Sequence, residues 1–160
     1  MEQHSVRMEN ISDRFGYLGN RMGSLIEMIV APNLAEKFNE FGFTFNRSAM
    51  HYIIKDGKKT ITEVDLILED GDSVMIVEVK TKPTLEDIKN HIERMEKILL
   101  HPNRFLSSVK LFGAIACGIL EDDVKEAIFK AGFYAVCQTQ YNVEIISPPE
   151  GFVAKYWKTN

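Results

Sequence analysis

A mixed α/β fold follows from three features of the 160-residue chain. Two Asp-Gly dipeptides, Asp70-Gly71 and Asp56-Gly57, separate three strand-like runs, and glycine accepts the positive φ of a tight hairpin turn. Two amphipathic helical stretches bracket the apolar run "LFGAIACGIL", which suits a buried strand. A heptad pattern opens the chain. The predicted order is α-βββ-α-β-α-β-β, a mixed central sheet flanked by helices.

The first element rests on Met8, Ile11, Phe15, Leu18, Met22, Leu25 and Ile29, in alternating steps of three and four. That is a helix with a heptad seam, read as an oligomerisation element over residues 1–30 and joined to a domain over 31–160. The alternative is that the seam packs on the domain's own core. A second helical stripe, Gly16, Asn20, Gly23 and Glu27, faces elsewhere. Pro32-Asn33 interrupts the pattern, and "LAEKFNEFG" is a short helix stopped at Gly42. Residues 43–55, then "KKTITEVDLIL" and "SVMIVEVKT", form the three-strand meander.

Thr84 is the expected N-cap of a helix with Leu85, Ile88, Ile92, Met95 and Leu99 as its buried stripe, ending near His101-Pro102. "EDDVKEAIFKAG" is a helix with acids in its first turn and Gly132 at its end. "FYAVCQT" and "NVEIIS" are the last strands, and "PPEGFVAKYWKTN" reads as a tail.

At 45% hydrophobic and 26% charged residues, the composition is that of a soluble globular domain. No apolar run has the length of a membrane span, and the N-terminus is too polar for a secretory signal. Cys117 and Cys137 lie in apolar segments, so they are read as reduced core residues of a cytoplasmic protein. The net charge of −4 argues against a strongly basic nucleic-acid surface, although clustered metal-binding carboxylates would inflate the acidic count. His4, His51, His91 and His101 have no metal-ligand spacing and are read as surface or structural.

The meander carries the chemistry. Folding it about Asp70-Gly71 pairs Glu63 with Glu78, Asp65 with Ile76 and Ile61 with Lys80. Period-two alternation then puts Glu63, Asp65, Glu78 and Lys80 on one face. Facing carboxylates repel, and a divalent cation would offset that. The alternative is a structural Glu–Lys pair at a sheet end.

Asp65 on one strand and Glu78-Val79-Lys80 on the next, within this order of elements, resemble the PD-(D/E)XK nuclease superfamily. "EVKTKPTLEDI", "AGFYAVCQTQYNVEII" and "GFVAKYW" resemble a bacterial and archaeal branch whose members often carry a coiled coil before the nuclease-like domain. Val64 stands where the motif's proline would precede the acid.

The resemblance implies a restriction-endonuclease-like αβββαβ core and hydrolysis of phosphodiester bonds, with DNA as the expected substrate. It implies Mg²⁺ or Mn²⁺ held by Asp65, Glu78 and the Val79 carbonyl, with Glu27 as the acid on the first helix. Lys80 would orient the attacking water or stabilise developing charge. Glu63 would be a supporting acid. The alternative function is a non-catalytic nucleic-acid-binding or assembly module of the same fold. The expected assembly is a homodimer or higher homo-oligomer, with no membrane partner.

Overall fold

The computed structural model describes Leu25, residues 33–101 and residues 106–160. The expected first helix, including Glu27, therefore lies outside the described residues except for Leu25. A seven-stranded mixed sheet forms the frame, with strands β1 (Arg47–Asp56), β2 (Lys59–Glu69), β3 (Ser73–Lys80), β4 (Lys110–Cys117), β5 (Tyr134–Gln138) and β6 (Val143–Ile145) side by side in chain order. β1, β2 and β3 are antiparallel, β3, β4 and β5 are parallel, and β6 is antiparallel to β5. The helices whose bounds lie among the described residues are α1 (Asn33–Asn39), α2 (Leu85–Leu100) and α3 (Asp122–Lys130).

Side-chain alternation on β3 sorts the core. Val74 and Ile76 face the cluster shared with Ile88, Met95 and Ile98 of α2 and Val124 and Ile128 of α3. Met75, Val77 and Val79 face the opposite cluster, with Leu34 and Phe38 of α1. β3 is buried on both faces from Val74 to Val79, as expected of a central strand with a parallel neighbour. Leu25 is 1% exposed in the α1-side cluster, so at this position the heptad seam serves the domain's own core.

The final segment is not a tail. Tyr156–Lys158 form β7, antiparallel to the start of β4, and Trp157 is buried against Phe133. Nothing in a three-residue strand distinguishes it in sequence; its pairing comes from β4 having a free edge below β5. The expected strand at 43–55 begins only at Arg47. In α2, Leu85 is exposed, Ile92 and Leu99 are half-buried, and His91 and Ile98 take their places in the core.

Both Asp-Gly turns form one residue later than expected. Asp56 pairs with Lys59, and the Asp70 amide donates to the Ser73 carbonyl at 3.2 Å. The loops are thus Gly57-Lys58 and Gly71-Asp72, with the glycines at φ 61° and 99°. Asp70 is the reason at the second turn: its Oδ1 accepts the amides of Asp72 (2.9 Å) and Ser73 (2.8 Å), so the aspartate closes the loop instead of occupying it. The resulting ladder pairs Leu66 with Val77 and Glu69 with Val74. Glu63 does not face Glu78.

Candidate functional site

The β2–β3 ladder stops at Leu66 and Val77. Beyond it the Val79 amide, which would otherwise seek a β2 carbonyl, donates to Oδ2 of Asp65 at 2.8 Å. Asp65 thus bridges a fork between the two strands. A break in β2 aims it there. Leu66 packs in the α1-side cluster while Val64, two residues away, packs in the α2-side cluster, which regular alternation forbids. Across from Asp65, His51 of β1 has φ 50°, left-handed backbone inside a strand. The paired register resumes on both sides of it, at Met50–Leu66 and Tyr52–Val64.

This break corrects the shared face expected for the four charged residues. Past Asp65, Val64 and its partner Tyr52 turn toward the α2 side. Glu63 therefore turns away and is exposed. It is not brought to the fork, because the alternation that would carry it there is broken between Val64 and Leu66.

Glu78 is 7% exposed, on the α2 side of β3. Burial pushes its carboxyl up to about 7 against the pull of Arg94, and the neighbouring charge and hydrogen bond of Asp65 push the same way. Asp65 and Glu78 are therefore neighbouring carboxyl groups that act on one another, in a register other than the one the sequence predicts.

Two cations flank the pair. Lys80 lies on the Glu78 face, half-exposed, with Nζ 3.8 Å from Oδ1 of Asp87 in the first turn of α2. Asp87 is fixed by the capping box it forms with Thr84, whose amide it accepts at 2.8 Å. The cap predicted at Thr84 thus also places the partner of Lys80.

Arg94 is the residue that sequence reasoning missed. Its Nη1 pairs with Oε2 of Glu78 and lies 2.8 Å from Nδ1 of His91. Nε2 of His91 is 3.1 Å from the Ile76 carbonyl, which can only accept, so Nε2 carries the hydrogen and Nδ1 receives the Arg94 N–H. Burial, followed by the charge of Arg94, lowers the His91 pKa to about 3 and keeps the ring neutral. One sequence signal pointed here. His91 stands in the stripe Ile88, His91, Met95, Ile98, and a polar residue in an apolar stripe needs a buried partner.

The chemistry of the donor set fits a hard divalent cation. It offers two adjacent carboxyl groups, and burial and mutual repulsion make the charged pair costly unless a cation, the Arg94 guanidinium or a metal ion, stands beside it. Among the described residues, no group of three His, Cys, Asp or Glu side chains assembles. The expected third acid, Glu27, is outside those residues. Cys117 and Cys137 occupy facing positions on β4 and β5; the buried Cys117 thiol donates to the Val136 carbonyl at 3.5 Å and the half-buried Cys137 thiol to the Gly118 carbonyl at 4.0 Å. No helix of the described residues is long and apolar enough to cross a membrane.

The chain matches no family model and no curated protein. Among solved structures it is similar to a protein of unknown function from Silicibacter pomeroyi, with 15% identity, a TM-score of 0.41, and coverage of 79% of this chain and 70% of that one.

Proposed function

We propose that the protein is a divalent-metal-dependent phosphodiesterase acting on nucleic acid, DNA first, and that Asp65, Glu78 and Lys80 carry the reaction. The observation behind this reading is the fork: two adjacent carboxyl groups where β2 and β3 part, with a half-exposed lysine two residues along the same face. Asp65 and Glu78 would hold Mg²⁺ or Mn²⁺, with the Val79 carbonyl and Glu27 as the further ligands that the PD-(D/E)XK resemblance implies. The ion supplies Lewis acidity and a bound water of lowered pKa.

The chain's own contribution is placement. The Val79 amide fixes one Asp65 oxygen, Oδ2, and leaves Oδ1 as the oxygen that would meet the ion. Lys80, exposed enough to meet substrate, orients the attacking water or offsets charge developing on the phosphate. Asp87 keeps its ammonium near the fork while the substrate is absent.

The β1–β2 ribbon supplies a grip on the phosphate backbone. It ends in exposed Lys55, Lys58 and Lys59, about 20 Å along the strand from Asp65 by strand rise. Assembly through the heptad seam belongs to the same proposal. Phe15→Lys with Met22→Lys would reduce the oligomer to monomer, read by light scattering.

One observation favours a second reading, a non-catalytic nucleic-acid-binding module. Glu78 and Lys80 each already have an opposite charge, in Arg94 and Asp87. The test is a panel of duplex, single-stranded and branched DNA and RNA incubated with Mn²⁺ or Mg²⁺. Cleavage by the native protein and none by folded Lys80→Ala supports the enzyme. Binding without cleavage supports the module, and full activity in Lys80→Ala contradicts the assigned mechanism.

A further inference from the structure

Glu78 has one carboxylate and two claimants. Arg94 already holds Oε2, and the proposed ion would need the same group. The arginine is not a surface residue that happens to reach inward: only 19% of its side chain is exposed, and its Nε is buried without a hydrogen-bond partner. A buried guanidinium with an unpaired nitrogen is costly, so the pose must be held from outside. His91 holds it. The ring is wedged edge-on to Phe133 with centroids 4.9 Å apart, tied to the Ile76 carbonyl, and presents its bare Nδ1 to Arg94. The chain Ile76–His91–Arg94–Glu78 thus runs from the β3 backbone across to α2 and back to β3, two residues further on.

We infer that Arg94 is a built-in counter-cation of Glu78, a positioning residue that satisfies the carboxylate while the site is metal-free and yields it when a divalent ion binds. This rests on the metal-dependent reading above. The consequence is a modest affinity for metal, because an entering ion must displace or share a guanidinium already paired with its ligand. Once released, Arg94 is a cation beside the site, where a phosphate of the substrate would find it. Metal and nucleic acid would then favour each other's binding, since each relieves the charge the other leaves uncompensated.

The test is calorimetric titration of Mn²⁺ into the full chain, native, Arg94→Met and Arg94→Lys, alongside cleavage by the native protein. Arg94→Met removes a positive charge from beside the incoming ion and should bind Mn²⁺ at least about tenfold more tightly. Arg94→Lys keeps the charge and should stay near native affinity. A merely structural arginine gives the opposite sign, since loosening the site would weaken binding. If Arg94→Met fails to fold, Arg94→Gln, which retains a donor for Glu78 without the charge, takes its place.

Tighter binding in the uncharged variant, including the case where only that variant binds, supports the inference. Equal or weaker binding there, in a protein whose native form cleaves, overturns it and leaves the proposed function standing. If no form takes up Mn²⁺ and the native protein cuts nothing, both are overturned.

Discussion

The carboxylate of Asp65 stands in for a strand: its Oδ2 accepts the Val79 amide at 2.8 Å where the β2–β3 ladder has ended. The same side chain is thus a structural cap and a proposed metal ligand, and substitution separates the two roles. Asp65→Ala leaves the Val79 N–H without its partner and should cost about 1–3 kcal/mol in urea unfolding without metal. Asp65→Asn keeps an acceptor and removes a charge from beside Glu78, so it should stay within about 0.5 kcal/mol of native or gain slightly. Both variants should lose the stabilisation given by Mn²⁺. Equal destabilisation by the two would mean that the charge, not the hydrogen bond, holds the fork.

The pH dependence of stability follows from two groups shifted in opposite directions. Glu78 titrates near 7 in the folded protein and near 4.5 when unfolded, so between those values the folded state binds more protons and stability rises as pH falls. His91 titrates near 3 when folded and near 6.5 when unfolded, so from 6.5 downward the folded state binds fewer protons and stability falls with pH. From these two groups, metal-free stability should rise slightly from about pH 8 to 6.5, stay nearly level to about 4.5, and fall below that. Glu78→Gln should remove the rise and leave a decline beginning near 6.5. Denaturation midpoints across the series check this, and a native curve that already falls steeply between 6.5 and 4.5 contradicts it.

The lysine-tipped ribbon predicts a salt effect. If Lys58 and Lys59 touch phosphates, replacing both with alanine should weaken DNA binding without changing sequence preference. The slope of log affinity against log salt should fall by about 1 for each phosphate no longer neutralised. Fluorescence anisotropy at several salt concentrations reads this directly. An unchanged slope would remove the ribbon from the interface.

Trp157 tests the seventh strand. It lies 8% exposed between β4 and Phe133, in a segment whose sequence reads as a tail. Trp157→Ala should cost about 3–5 kcal/mol, the range for a large buried aromatic. A loss below about 1 kcal/mol in chemical denaturation would mean that β7 is an ornament on the sheet edge.

Local signals were the legible part of this chain. Thr84 is the N-cap that the sequence predicts, its capping box completed by Asp87, and both Asp-Gly dipeptides mark a hairpin turn, each displaced by one residue. What escaped is tertiary. Asp70 closes its own loop by accepting two amides, which shifts the turn by one residue, and the sequence offers both registers equally well. The break at Asp65 depends on β1 and on the packing of Val64, so simple alternation puts Glu63 on the wrong face. Asp65, Glu78 and Lys80 are brought together in spite of both departures. The register moves by an even step, and Asp65 lies at the break itself.

Arg94 was legible only indirectly, through the polar His91 set in an apolar stripe, since its own partner Glu78 lies sixteen residues earlier on β3.

The proposed function stands or falls on Asp65 and Glu78 sharing one divalent ion. Anomalous diffraction from crystals of the full chain soaked in Mn²⁺ tests it most directly. The expected result is a single strong peak at the fork, about 2.1 Å from an oxygen of each carboxylate, with the Glu78–Arg94 pair opened. No peak there at saturating Mn²⁺, with Arg94 still on Glu78, would contradict it.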